Sequence, residues 1–172
     1  SPVNIASLTD AFSDEIDVGE YYEHLRSIGL TYGPTFRGLS RLFRRDGAAL
    51  GFVDLPGDVT DGSRYLLHPA LFDACFHVLG VAVAPLTADS SDDMFVPVAI
   101  DGLRVHRSGV TAAWCAVTLL DADDAATANT RPASLRATLQ LYDADGEPVA
   151  TVGRLEVRRT PRSMWQRALG AT

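Results

Sequence analysis

Residues 69 to 84 form an almost unbroken apolar run, PALFDACFHVLGVAVA, in which Asp73 and His77 are the ionisable exceptions. Pro69 is favoured at the first position of a helix, and Pro85 limits how far the helix can continue. Apolar residues cover nearly the whole circumference of that helix, which is typical of a buried helix rather than a surface helix. The rest of the chain must therefore enclose it.

The flanking segments alternate with a period of two, which is typical of strands. Six strands are predicted, at about 37–45, 48–55, 95–106, 111–120, 135–142 and 149–157. Turn-forming residue pairs lie between predicted strands at three junctions: Asp46-Gly47, Ser108-Gly109 and Asp145-Gly146. An amphipathic helix is predicted at 18–28. The sum predicts an α+β fold in which a curved antiparallel sheet of about six strands wraps around the apolar helix, the hotdog arrangement.

Length and charge exclude several classes of protein. The 172 residues suit one domain with one core, and a net charge of −7 argues against a nucleic-acid partner. The stretch 70–86 contains two ionisable side chains, so no membrane span is predicted, and the first ten residues lack a signal-peptide pattern. Cys75 and Cys115 lie in apolar runs without metal-ligand spacing. They are predicted to be free buried thiols in a cytoplasmic protein.

The carboxyl of Asp73 admits a structural and a chemical interpretation. In the first turn of a helix it could simply face the positive end of the helix dipole. However, Phe72 and Phe76 would exclude water around it, and His77 lies at i+4 on the same helix face. Burial raises the pKa of a carboxyl, and a carboxyl that keeps its proton can deliver it to a leaving group. Asp73 is therefore predicted to be a general acid in an apolar cavity, oriented by His77.

Three segments resemble, in order, the second half of polyketide synthase dehydratase domains. HPALFDACFH (68–77) is similar to the family's HPALLDAALH segment, LTYGPTFRGL (30–39) to its YGPxFQGL motif, and FVPVAIDGLRVH (95–106) to its LPFxWxGVxLH strand. The closing DADGEPVATVGRLEVRR also looks like the family's last hairpin. The resemblance covers about residues 18 to 160.

The resemblance implies a double hotdog with its active site between the two halves. A His of the first half would remove the α-proton of a β-hydroxyacyl thioester, and an Asp of the second half would help the hydroxyl leave as water. No metal or organic cofactor would take part, since the substrate arrives on the phosphopantetheine of an acyl carrier protein. The implied partners are the N-terminal hotdog half, that carrier protein and neighbouring synthase domains of a bacterial enzyme. Association of two copies of this half into a homodimer is also expected.

By position, Asp73 matches the family's acid and His77 the residue that holds it. The matched motifs further imply a set of substrate-binding residues: Tyr32, Gly33, Pro34, Phe36, Leu71, Phe72, Val96 and Pro97. The implied division of the chain is 1–17 as a leader or linker between hotdogs, 18–160 as the C-terminal hotdog and 161–172 as an exit linker.

Departures from the family pattern limit what the resemblance implies. Val98 and Ile100 replace the aromatic pair of LPFxW, and Arg37 replaces the Gln of YGPxFQ, so no substrate preference is transferred. None of the four histidines is followed by the family's HxxxGxxxxP pattern. His24 is predicted on a helix surface, His106 outward on a strand, and His68 at the start of the apolar helix. Without a base, the chain alone is expected to be inactive or nearly so, and to self-associate through uncovered apolar surface.

Other functions remain open at this point. A degenerate dehydratase kept as a structural module, a double hotdog that moves a double bond or guides cyclisation, and a homodimeric hotdog thioesterase would all share much of the pattern.

Overall fold

A computed structural model describes residues 1–57, 59, 61–86, 93–120 and 132–164. In chain order its elements are α1 (Ile5–Asp10), β1 (Asp14–Glu15), α2 (Val18–Ser27), β2 (Leu39–Arg45), β3 (Ala48–Asp54), α3 (Pro69–Val83), β4 (Asp93–Val105), β5 (Ala112–Leu119), β6 (Ser134–Tyr142) and β7 (Pro148–Pro161). Short 3₁₀ turns lie at Pro34–Phe36, Gly62–Arg64 and Ala84–Leu86. The six predicted strands and both predicted helices are confirmed; α1 and β1 were not predicted.

The strands form one antiparallel sheet in the order β1-β2-β3-β5-β6-β7-β4. Two of its hairpins use predicted turns. Gly47, at φ 66°, closes β2 onto β3, and Gly146, at φ 82°, lies in the turn between β6 and β7. Both glycines adopt the left-handed conformation that side chains disfavour. The chain crosses from β3 to the opposite edge strand, β4, through α3.

Helix α3 begins as its sequence predicts. The His68 ring Nδ1 accepts a hydrogen bond from the Ala70 N–H at 3.1 Å, so His68 caps the helix, and Pro69 takes the first position. Asp73 is therefore the fifth residue of the helix and lies beyond the first turn. The interpretation of Asp73 as a first-turn partner of the helix dipole was wrong, because that effect falls off within the turn.

The main core lies between α3 and the inner face of the sheet. Its fully buried side chains include Leu71 and Val78 of the helix and Leu139 and Leu155 of the strands. Helix and sheet approach closely at Gly51, where an added Cβ would lie 2.5 Å from Cγ2 of Val78. The stretch Pro69–Leu86 has the length and a mean hydropathy, 1.6, compatible with a membrane span, but 56% of it is buried inside the protein. It is the central helix of the predicted hotdog arrangement.

A second apolar cluster covers the outer face of the sheet. Phe43 and Trp114 of the strands pack with Phe12, and α1 adds Ile5 and Leu8. The Val3 N–H donates to the Gly146 carbonyl at 2.9 Å, and β1 pairs with β2. The N-terminal residues, predicted as a leader or linker, therefore pack on the domain. Of the predicted exit linker, residues 165–172 lie outside the described part of the chain.

The smaller predictions agree with the structure where it describes them. Cys75 and Cys115 are free and buried. A hydrogen bond with Cys75, together with burial, raises the pKa of the Cys115 thiol. His24 is exposed on α2, and His106 is exposed just after β4.

Candidate active site

A cavity of about 450 Å³ opens between α2, α3 and the first residues of β4. Its walls are mostly apolar, and four polar side chains converge on it. The lining residues are Tyr21, Leu25, Leu30, Tyr32, Asp73, Phe76, His77, Leu79, Gly80, Val83, Met94, Phe95, Val96 and Pro97. A larger and more open depression of about 850 Å³ lies beside Arg44 and Arg45, at the β2–β3 turn, and contains neither Asp73 nor His77. The smaller cavity is the candidate active site.

Asp73 and His77 meet in this cavity one helical turn apart on α3. Oδ2 of Asp73 lies 3.4 Å from Nε2 of His77. His77 is 4% exposed, whereas the Asp73 side chain is 38% exposed. The expectation that Asp73 is buried is therefore corrected: its carboxyl lies at the mouth of the cavity, and the imidazole lies behind it.

The contact between these two side chains is close but not aligned. Although Nε2 of His77 is within ion-pair distance of the carboxylate, it has no hydrogen bond of good geometry within the described residues. Catalytic hydrogen bonds are often long before substrate binds.

Three tyrosines surround His77. The Tyr21 hydroxyl donates to the His77 backbone carbonyl at 2.9 Å, the Tyr22 hydroxyl lies 3.2 Å from Nδ1, and the Tyr32 ring centroid is 4.2 Å from that of the imidazole. Gly80 leaves room for Tyr21, since an added Cβ would lie 2.6 Å from its hydroxyl oxygen. The His77 ring is thus held from several sides.

The tyrosine hydroxyls keep their protons at neutral pH. Burial raises the pKa of Tyr22 to about 12. Burial, and to a smaller extent the charge of Asp73, also raises the pKa of Tyr32. Tyr32 lines the cavity and can act as a hydrogen-bond donor there, whereas the Tyr22 hydroxyl contacts Nδ1 of His77.

The wall opposite α3 is the beginning of β4. Arg159 of β7 supports it: its Nη1 donates to Asp93 at 3.1 Å, and its guanidinium lies 5.0 Å from the centroid of the Phe95 ring. The register between β4 and β7 shifts between Pro97 and Ala99, as expected at a residue without an N–H. This irregularity lies where the strand leaves the cavity.

The structure brings together five of the ten predicted site residues: Tyr32, Asp73, His77, Val96 and Pro97. The other five do not line the cavity. Gly33, Pro34 and Phe36 lie on the exposed 3₁₀ turn nearby, Phe72 packs on Phe76, and Leu71 is fully buried in the core.

Sequence reasoning missed most of the apolar wall. Tyr21 and Leu25 lie on the apolar face of the helix predicted at 18–28, and their i, i+4 spacing is the signal that places them side by side. Nothing in the local pattern shows that this face meets α3. That contact joins residues 55 or more positions apart.

An antiparallel sheet around one central helix defines a hotdog-fold domain, and this one has a carboxyl of the central helix in an apolar cavity. The chain matches the family described as "Polyketide synthase dehydratase N-terminal domain" over residues 1–165. It belongs to the polyketide synthase dehydratase family. Its assignment to the second half of such a domain stays a prediction.

The similar proteins are much longer than this chain. It is 32% identical over 159 residues to polyketide synthase GfsE of Streptomyces halstedii, covering 92% of this chain and 4% of that protein. It is 34% identical over 160 residues to spectinabilin polyketide synthase system protein NorA of Streptomyces orinoci. That match covers 91% of this chain and 7% of that protein. The chain therefore spans a small part of these multidomain relatives.

Among solved structures, the dehydratase domain from the CurK module of curacin polyketide synthase superposes with a TM-score of 0.79 at 28% identity. The match covers 95% of this chain and 55% of that one. Two variants of the CurK dehydratase, one with a His replaced by Phe and one with an Asp replaced by Asn, are described as inactive mutants. The predicted hotdog fold is confirmed by these neighbours.

Proposed function

We propose that this chain is the acid-bearing half of a polyketide synthase dehydratase. The reaction eliminates water from a β-hydroxyacyl thioester, carried on the phosphopantetheine of an acyl carrier protein, and gives an α,β-enoyl thioester. The observation that carries the proposal is the Asp73 carboxyl at the mouth of an apolar cavity, with the buried His77 imidazole 3.4 Å behind it. The family membership supports the reaction class.

In the proposed step, a base removes the α-proton and the electrons of that C–H bond form the C=C bond. The bond between the β-carbon and the hydroxyl breaks as the hydroxyl takes the proton of Asp73, so water leaves and Asp73 becomes a carboxylate. The apolar walls exclude bulk water from this transfer. His77 behind the carboxyl orients it, and the protonated Tyr32 hydroxyl can donate to a substrate oxygen.

The base is proposed to come from a companion half. None of the four histidines carries the family's base motif, and the chain covers 55% of the CurK dehydratase domain. The inactive His and Asp variants of CurK support a reaction that needs both residue types. No metal or organic cofactor is required in this scheme, and a cytoplasmic location is proposed.

Edge strand β4 is the proposed contact surface for the companion half. Its residues 97–104 are exposed, and Val98, Ile100 and Leu103 are exposed large apolar side chains. An edge strand offers unpaired backbone groups to a neighbouring strand, and these side chains would be covered in the same contact. Carrier protein and neighbouring synthase domains would meet the assembled enzyme rather than this half alone.

The test is dehydration of a β-hydroxyacyl thioester by this chain joined to a His-bearing first half. Asp73→Asn keeps the shape but removes the acid, and should lower kcat by about 10²–10⁴-fold, the contribution of a positioned proton transfer. Glu23→Gln is the matched control, because Glu23 is an exposed carboxylate of α2 paired with Arg26 at 2.7 Å. Its activity should equal that of the parent.

Full activity of Asp73→Asn, or steady dehydration by the 172-residue chain alone, would refute the proposal. Hydrolysis of an acyl thioester by a homodimer of this chain would instead identify a thioesterase. An assembled domain that folds but dehydrates nothing would identify a structural module.

A further inference from the structure

The Tyr22 hydroxyl joins the backbone to the buried side of His77. Its oxygen lies 3.3 Å from the Leu39 backbone nitrogen, whose N–H points at it, and 3.2 Å from Nδ1 of His77. Tyr22 and His77 are both buried, and their rings meet edge to face with centroids 5.7 Å apart. These contacts hold the hydroxyl between one backbone donor and one imidazole nitrogen.

The direction of these two hydrogen bonds follows from what each group can do. A backbone N–H only donates, so the Tyr22 oxygen must accept from Leu39. The hydroxyl has one proton, and within the described residues Nδ1 is the acceptor in reach of it. The hydroxyl therefore donates to Nδ1, which must be the unprotonated nitrogen of the ring.

The proton of the His77 ring lies on its other nitrogen, Nε2. A neutral imidazole carries a single N–H, so with Nδ1 unprotonated the proton is on Nε2. Nε2 lies 3.4 Å from Oδ2 of Asp73. Once Asp73 is a carboxylate, an N–H on Nε2 is attracted to its oxygen, whereas a bare nitrogen lone pair would be repelled by it. The contacts at Nδ1 therefore set the tautomer, and it is the one that an ionised Asp73 favours.

We infer that Tyr22 is a positioning residue that fixes the tautomer of His77, so that the proton of the ring is on Nε2, the nitrogen that lies 3.4 Å from Asp73. The tautomer stands on the contacts alone, and its value for catalysis rests on the proposed function. When Asp73 gives up its proton, the new carboxylate needs a donor. The Nε2–H supplies one, because the order Leu39 N–H to Tyr22 O–H to His77 leaves that proton free to serve it.

The tautomer can be read directly from the long-range ¹H–¹⁵N spectrum of this chain with labelled histidines, at mildly alkaline pH where imidazoles are neutral. His68 is an internal reference, because its Nδ1 accepts from the Ala70 N–H at 3.1 Å and is therefore also unprotonated. His77 should show its proton on Nε2. A proton on Nδ1 of His77 would overturn the inference without any mutation.

Tyr22→Phe removes the hydroxyl and keeps the ring. The Nδ1 resonance of His77 should then shift downfield towards that of a nitrogen without a donor, while His68 does not change. Tyr142→Phe is the matched control, since its hydroxyl donates to Gln140 at 2.7 Å on β6 and should leave both histidines unchanged. A His77 spectrum that Tyr22→Phe does not alter would overturn the inference.

A kinetic arm tests the catalytic consequence in the assembled two-half dehydratase. Tyr22→Phe should lower kcat about 3- to 10-fold, the effect of one hydrogen bond, and should cause no further loss when His77 is already Ala. Equal losses in both backgrounds would mean that Tyr22 does not act through His77. If the parent enzyme is inactive while the spectrum shows Nε2–H, the proposed function fails and the tautomer assignment survives.

Discussion

Arg159 should contribute more to stability than any exposed arginine of this chain, because one buried side chain joins three separate segments. The side chain is 11% exposed. Its guanidinium donates to the Pro132 carbonyl at 3.0 Å, to the Leu86 carbonyl at 3.2 Å and to Asp93 Oδ2 at 3.1 Å. These contacts tie β7 to Pro132, two residues before β6, to the 3₁₀ turn after α3 and to the first residue of β4.

The expected cost of Arg159→Ala is about 3 kcal/mol, near the lower end for breaking a buried charged pair by removing one partner. The three hydrogen bonds share one side chain, so their separate values do not add. For a chain of this size, that loss corresponds to a decrease of about 6–12 °C in the midpoint of thermal unfolding. Urea unfolding gives the free energy directly.

Arg154→Ala is the matched control. Arg154 also lies on β7 and pairs with an aspartate of β4, Asp101, at 3.3 Å, but its side chain is 54% exposed. Exposed pairs of this kind contribute about 0–1 kcal/mol. Arg159→Lys keeps the charge but loses the planar set of guanidinium donors. Its free energy of unfolding should therefore lie between those of the parent and of Arg159→Ala. If Arg159→Ala costs no more than Arg154→Ala, burial of the guanidinium is not what makes it stabilising.

Two further outcomes follow from the core and from the tyrosines. Gly51→Ala should destabilise the fold by about 1–3 kcal/mol, because the new methyl group meets Val78, and Val78→Ala in the same chain should recover part of that loss in urea unfolding. Since folding raises the pKa of Tyr22 from 10.0 to about 12, the unfolded chain releases this proton first. The free energy of unfolding, measured with urea, should therefore fall as pH rises from 10 to about 12, and it should fall less steeply in Tyr22→Phe. If it falls equally steeply with pH in both chains, folding does not raise the pKa of Tyr22.

The fold was predictable because two local patterns agree. A helix apolar on all sides needs a sheet around it, and the period-two segments supply the strands. Helix α1 was not predicted, because residues 1–17 contain Ser, Pro and acidic residues in proportions typical of a linker. Yet Ile5, Leu8 and Phe12 recur at spacings of three and four, and these are the residues that pack on the outer cluster.

From residue spacing alone the candidate site was predictable only along α3, whereas Tyr32, Val96 and Pro97 were implied by the family resemblance. Spacing at i+4 places Asp73 and His77 on one face, but it does not determine which of them is exposed. That depends on Tyr22 and Tyr32, which reach His77 from 55 and 45 positions earlier in the chain and cover it while leaving the carboxyl at the opening. Such long-range packing leaves no local pattern in the sequence.

The N-terminal helix limits where synthase modules can be cut and recombined. A chimera whose junction falls at residue 18 would discard Ile5, Leu8 and Phe12, and would leave Phe43 and Trp114 without their cover on the back of the sheet. A junction placed before residue 1 would transfer that cover together with α3, the helix that carries Asp73 and His77. The position of the junction therefore determines whether the outer face of the sheet stays covered in the transferred domain.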